Sequence, residues 1–218
     1  TMSAAAIVNT KVEMSEEGVS TLAARKIWFD GVVHRINAEE RGELLGSFRG
    51  EDRILEVTQS GHYRLLGFDL STHFEEDMIR IEKFNPKKPI SVIYFDGEKE
   101  RFYVKRFIPE MSNKKELFIS ESEGSYLEAV FTDWYPRVEL VFRKIKGKQK
   151  ENEEIVLSEF ISVKGMKAQG NQLTKDAVKD IIALEPLPLV QQSEDGESQE
   201  TSEADEDKAG SNDTPPLF

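Results

Sequence analysis

Short β-type runs separated by turn residues recur along this chain at a nearly constant interval, and few folds satisfy that pattern. Ile54-Leu55-Glu56-Val57-Thr58 reaches Gln59-Ser60-Gly61 and returns through His62-Tyr63-Arg64-Leu65-Leu66. Ile90 to Phe95 reaches Asp96-Gly97 and returns through Arg101 to Phe107, and Tyr126 to Phe131 reaches Thr132-Asp133 before Val138 to Phe142. Lys26 to Phe29, Asp30-Gly31 and Val32 to Ile36 form an earlier unit, and Phe160-Ile161-Ser162-Val163 reads as a last β segment. The flanks are β-branched and aromatic, which suits half-buried strands, and glycine accepts the positive φ of tight hairpins. Successive turns, counted from Asp30, Ser60, Asp96 and Asp133, lie 30, 36 and 37 residues apart. Hairpin units repeated at this period predict an all-β, propeller-like array in which each unit buries its face against the next. A β-sandwich or barrel also spaces turns evenly and stays open as the alternative. Thr174 to Leu184 reads either as a capped helix or, from Val178, as a late strand.

Composition adds exclusions. The 218 residues contain no cysteine, which removes disulfides, thiolate metal sites and cysteine nucleophiles, and the apolar runs are too short for a membrane helix. The net charge of −12 argues at first against a nucleic-acid binder. The charge is unevenly placed, however. Nine acids and the single base Lys208 fall in 191–218, so that stretch carries −8 and residues 1–190 carry −4, with 28 bases against 32 acids. Glu185-Pro186-Leu187-Pro188 ends the last apolar segment. The organisation expected is a flexible fragment boundary over 1–6, one β domain over 7–189 and a disordered acidic tail over 190–218. Absence of cysteine and of a signal-type start fits a cytoplasmic protein.

No catalytic constellation stands out. His34, His62 and His73 lack ligand spacing, and Glu75-Glu76-Asp77 reads as a solvated acidic loop before it reads as a hard-cation site. Asp133 beside Trp134 offers one carboxylate with no identifiable partner for carbohydrate chemistry. The basic clusters say more. Arg143-Lys144-Ile145-Lys146-Gly147-Lys148-Gln149-Lys150 holds five positive charges and no acid. Lys87-Lys88, Lys105-Arg106, and the two lysines of Lys164-Gly165-Met166-Lys167 add to it, each at an expected strand end or loop. Together they predict a rim that tracks a phosphate backbone by counterion release. The competing readings are a solubilising surface and a protein-interaction propeller with no nucleic-acid role.

Lys164 to Lys175, with the sequence Lys164-Gly165-Met166-Lys167-Ala168-Gln169-Gly170-Asn171-Gln172-Leu173-Thr174-Lys175, resembles a loop near the end of the C-terminal domain in A subunits of bacterial type IIA topoisomerases. The Val92–Phe107 hairpin and the Ile54–Leu66 hairpin resemble blades of the same domain, and the likeness spans roughly 7–189. The resemblance implies a β-pinwheel of about four to five hairpin blades with strands exchanged between neighbours. It implies sequence-nonspecific duplex DNA binding and bending, with DNA presented to a separate cleavage core. Relative to the glycine- and arginine-rich box of gyrase, the loop of Lys164, Gly165, Lys167, Gly170 and Asn171 lacks the paired glycines and the arginines. That departure implies the topoisomerase IV type of A subunit. No cofactor is implied for this chain, while a parent enzyme would use ATP and Mg2+ elsewhere, with its ATPase B subunit as partner. The location implied is the bacterial cytoplasm, at the nucleoid.

Overall fold

The computed structural model describes residues 23–189, and the expectations for 1–22 and for the acidic tail lie outside the described residues. Fourteen strands and one helical turn follow in order: β1 (Arg25–Asp30), β2 (Arg35–Asn37), β3 (Glu43–Phe48), β4 (Ile54–Thr58), β5 (His62–Leu66), β6 (Met78–Lys83) and β7 (Ile90–Asp96). They continue with β8 (Arg101–Phe107), β9 (Glu116–Leu117), β10 (Tyr126–Phe131), β11 (Arg137–Phe142), β12 (Glu153–Val156), α1 (Leu157–Phe160), β13 (Asn171–Gln172) and β14 (Val178–Leu184). The strands make four antiparallel sheets, ordered β2-β1-β3, β6-β4-β5-β9, β10-β7-β8-β13 and β12-β11-β14. The chain is all-β, as the turn spacing predicts.

Each sheet repeats one plan. A hairpin supplies two strands, and a later strand adds to the first strand of that hairpin: β3 on β1, β6 on β4, β10 on β7 and β14 on β11. In the middle two sheets a fourth strand arrives from farther along. β9 lies in the chain between β8 and β10 of the third sheet, yet it pairs with β5 of the second. β13 lies between β12 and β14 of the fourth sheet, yet it pairs with β8 of the third. Strands exchanged between neighbouring hairpin blades define a β-pinwheel, and this one has four blades among the described residues.

Three core clusters join successive sheets. Phe29, Phe48 and Phe74 join the first to the second with Ile27, Ile36 and Ile54. Twelve buried residues, with Tyr63, Tyr94, Phe107 and Phe118 among them, join the second to the third. Nine, including Val104, Leu140, Phe142 and Leu173, join the third to the fourth. At ~1.5–3 kcal/mol for each fully buried large side chain, the middle interface is the strongest and the first the weakest.

Three local readings need correction. Tyr126–Phe131 and Val138–Phe142 do not form a hairpin: β10 pairs with β7, while β11 pairs with β12 and β14. Val32 and Val33 sit in the β1–β2 turn, 93% and 56% exposed, and the return strand is only Arg35–Asn37. Phe160 to Val163 is not a strand. Leu157–Phe160 is a helical turn that buries Leu157 and Ile161, four residues apart, in the core between the third and fourth sheets. The strand alternative for the end of the domain is the one adopted, as β14.

Candidate nucleic-acid interface

The basic residues separate into three groups. Lys105 and Arg106 are inside. Both lie on β8, which is covered on its two faces, and they are 5% and 8% exposed. Lys105 Nζ donates to the carbonyls of Phe118 and of Met166, the latter at 2.6 Å, tying the β9 segment and the 164–171 loop to β8. Arg106 Nε donates to Ser91 Oγ at 3.0 Å, and its terminal nitrogens reach the carbonyls of Ser158, Ile161 and Trp134 at 3.4 Å. The expectation that Lys105 and Arg106 meet phosphate is therefore corrected. Their long side chains are consumed by orphan backbone carbonyls, which need donors when buried.

Burial pushes the Lys105 ammonium down from 10.5 to about 8. Between those values the folded state binds fewer protons than the unfolded chain, so stability rises with pH across that window. The neutral amine still has two N–H donors for its two carbonyls. Burial pushes the Tyr63 phenol up to about 12 and raises that of Tyr94. Those groups act in the opposite sense, costing stability once the pH passes 10. Urea unfolding should therefore give a stability that climbs from pH 7.5 to a maximum near pH 10. The Lys105→Met chain should lose the climb, and an unchanged climb in that variant would assign it elsewhere.

The second group sits at one end of the third sheet. Lys87 is exposed and Lys88 half-buried in the turn before β7, where the Lys87 and Lys88 amides bond to Asn85. Ile90 pairs with Phe107, and the Lys164 amide donates to the Arg106 carbonyl at 2.9 Å, so exposed Lys164 belongs to this same end. Exposed Lys167 follows in the turn closed by the Ala168 amide on the Gly165 carbonyl at 3.0 Å. Met166 between the two lysines is buried in the middle core, and Asn171 pairs with Val104, which fixes the loop along the edge of β8. No acid occurs from Ile161 to Thr174.

The third group is the loop joining β11 to β12. Every residue from Arg143 to Lys150 is exposed. The Ile145 and Lys148 amides and carbonyls bond reciprocally at 3.0 and 2.9 Å, and Lys146 and Gly147 between them have φ of 48° and 80°. This is a two-residue hairpin tip with positive φ at both central positions, matched to strand twist, and glycine supplies one of them without strain. Lys150 is not free. Its Nζ lies 2.6 Å from Asp176 Oδ2, 3.3 Å from Glu153 Oε2 and 4.0 Å from the centre of the Phe142 ring.

Two grooves flank this hairpin. One of about 620 Å³ is lined by Val141, Phe142, Arg143, Lys144, Gln149 and Lys179. Three cations and no acid face it. The other, about 580 Å³, runs between the third and fourth sheets, where Arg101, Arg143, Lys175 and Lys179 are matched by Glu100, Glu128, Asp176 and Asp180. Burial, aided by the charge of Asp180, raises the Glu128 carboxyl pKa. A polyanion is attracted to the first groove and finds no net charge in the second. Lys179 was missed by sequence reasoning. It is the extra residue of a β-bulge, since Val141 pairs with Asp180 and Phe142 with Val178. Only a commitment to strand over helix for 174–184 would have exposed it as a neighbour of Arg143.

The hairpin and the Lys87–Lys164 group are not one patch. Arg101 and Phe102, at the groove beside Arg143, lie at the opposite end of β8 from Arg106. Five residues of extended strand separate these ends by about 16 Å. The segment 164–179 links them, carrying Lys164, Lys167, Lys175 and Lys179 from the third sheet to the fourth.

Residues 35–185 match the family described as topoisomerase C-terminal domain, Bacteroidota, and the chain belongs to that family. A crystal structure of the C-terminal domain of DNA topoisomerase IV is similar at 18% identity, with a TM-score of 0.44. That match covers 66% of this chain and 51% of the other, so the chain spans about half the length of the solved structure it resembles. No curated protein matches it.

Proposed function

We propose that this topoisomerase domain binds duplex DNA without sequence preference, bends it, and presents it to a separate cleavage core in a topoisomerase IV-type A subunit. The observation that carries this reading is the exposed run Arg143–Lys150 at the tip of the β11–β12 hairpin, which contains no acid, together with the acid-free groove it shares with Lys179. Lysine and arginine side chains at exposed turns meet phosphates as positioning contacts and carry no base code. Lys87, Lys88, Lys164 and Lys167 form a second station at the other end of the third sheet, so one duplex that meets both follows the outside of the blades. The domain takes no cofactor in this reading. ATP and Mg2+ act in other parts of the parent enzyme, whose remaining A-subunit segments and ATPase B subunit are the protein partners, in the bacterial cytoplasm at the nucleoid.

Fluorescence anisotropy with a duplex of arbitrary sequence, titrated between 0.05 and 0.3 M salt, tests the proposal. If about five phosphates are neutralised, log K falls against log salt with a slope of roughly −4 to −5. Two unrelated sequences of equal length should bind alike. Absence of binding at 0.05 M salt would instead favour a protein-interaction role for the blades.

A further inference from the structure

Ile145 does not match its surroundings. It is 53% exposed at the hairpin tip, within a run where Arg143, Lys144, Lys146 and Lys148 are also exposed and no acid occurs. A solubilising or purely phosphate-tracking tip gains nothing from a β-branched hydrocarbon held in water. The mounting of the tip is equally specific. The Arg143 amide donates to the Ala177 carbonyl at 2.8 Å and Arg143 Nε to the Val178 carbonyl at 3.1 Å. Gln149 Nε2 bridges the two sides of the loop through the Phe142 and Lys150 carbonyls at 3.0 and 3.1 Å. Lys150 is clamped to Asp176 and Glu153 over the Phe142 ring. The base is therefore fastened to β14 and β11, while nothing lies within 4 Å of the position a Cβ would take at Gly147. A stiff arm ends in a free, narrow, cationic tip with one apolar side chain.

We infer that this hairpin is a DNA-bending arm, in which Ile145 enters between base steps of the minor groove while the flanking cations hold phosphates of both strands. The inference rests on the duplex-binding reading and specifies how that site acts. Apart from thymine methyls in the major groove, which would make the contact sequence-dependent, the apolar surface of duplex DNA is its stacked base faces, accessible when one step is partly unstacked and the duplex kinks. Only the two-residue tip and the Ile145 side chain need enter, because the ribbon behind them is wider than the roughly 6 Å of an undistorted minor groove, and the groove widens as the wedged step kinks. Arg143 and Lys144 stand on one strand of the arm and Lys148 on the other, so phosphates on both walls of the groove have a cation opposite. Ile145 also forms a lip of the charge-balanced groove between the third and fourth sheets. A role confined to covering that groove is the competing outcome.

The test uses the 218-residue chain and a duplex of about 40 base pairs with a dye at each end, intact or with one central mismatched pair. Energy transfer reports the bend and anisotropy the affinity. The native chain should raise transfer on binding and should prefer the mismatched duplex by about 3–10-fold, because a weakened step costs less to open. Ile145→Ala should keep the salt slope and stay within about threefold in affinity for the intact duplex, since its phosphate contacts remain. It should lose most of the transfer and the preference for the mismatch. Ile145→Met should retain both, and Ile145→Gln, similar in length but polar, should behave as the alanine variant does. Wild-type bending and preference in Ile145→Ala and Ile145→Gln would overturn the arm while leaving duplex binding in place. A native chain that binds with the expected salt slope but leaves transfer unchanged would overturn it too. No salt-dependent binding by the native chain would remove the underlying reading, and the arm with it.

Discussion

Replacing Arg143, Lys144, Lys146 and Lys148 together with Glu should lower duplex affinity by about a hundredfold or more at 0.05 M salt and flatten the salt slope by about 3.6. Each neutralised phosphate contributes about 0.9 to that slope, so four lost contacts account for the change before repulsion from the new carboxylates is counted. The fold should survive, because all four side chains are exposed and surface substitutions cost little. The one structural loss is the Arg143 Nε bond to the Val178 carbonyl. Lys150 is the internal control. Its ammonium is already occupied by Asp176 and Glu153, so Lys150→Gln should change duplex affinity by less than about threefold. Lys87→Glu with Lys88→Glu measures the other station, which lies toward the opposite end of the third sheet, without disturbing the hairpin. Equal affinities for the native chain and the fourfold variant would show that the run is only a solvated surface.

What the amino-acid order reveals here depends on how local each pairing is. The β4–β5 and β7–β8 hairpins are legible because both strands and their turn are consecutive, so alternation and turn chemistry act within a dozen residues. Partners chosen at a distance leave no comparable trace. β10 ends three residues before Trp134, and β11 begins just after Pro136, which looks like one hairpin. The Pro136 carbonyl instead accepts from the Leu157 amide at 2.9 Å, and the two strands turn to different sheets. β9 and β13 are two residues each, too short to show any period, and their exchange between blades is decided by tertiary packing.

The site follows the same rule. The Arg143–Lys150 run was legible because a charged turn stays charged whatever sheet it joins. Lys105 and Arg106 misled because β8 is buried on both faces, and a basic pair on a strand reads the same whether its ends meet water or carbonyls. Burial of that kind follows from the strands on either side, β7 and β13, and the second of these comes from more than sixty residues downstream.

The two glycines of the Lys164–Asn171 loop look equivalent in the sequence and should behave oppositely when changed. Gly170 has φ of +88°, and a Cβ there would stand 2.1 Å from the Val104 carbonyl oxygen and 2.7 Å from Lys105 Cγ. The first neighbour is backbone of a central strand and cannot yield by rotating. Gly165 has no such φ, and a Cβ there would meet nothing within 4 Å. Gly165→Ala should therefore alter stability by less than about 0.5 kcal/mol, as an ordinary surface change does. Gly170→Ala costs about 1–3 kcal/mol for its positive φ, and the 2.1 Å approach adds to that by forcing the loop or β8 to shift even if the pairing survives. If the loop lifts instead, it gives up the Asn171–Val104 pairing, the Tyr94 hydroxyl bond to the Gln169 carbonyl at 2.8 Å and the Lys105 bond to the Met166 carbonyl at 2.6 Å. Three lost bonds at about 1 kcal/mol each, with Lys105 left buried and half-satisfied, bring the cost to a similar or larger figure. Urea unfolding should accordingly show a loss of about 3 kcal/mol for Gly170→Ala. Its duplex affinity, measured where the chain is still folded, should fall through Lys164 and Lys167, while that of Gly165→Ala stays native. A Gly170→Ala chain as stable as its parent would mean that β13 is not held against β8 in solution.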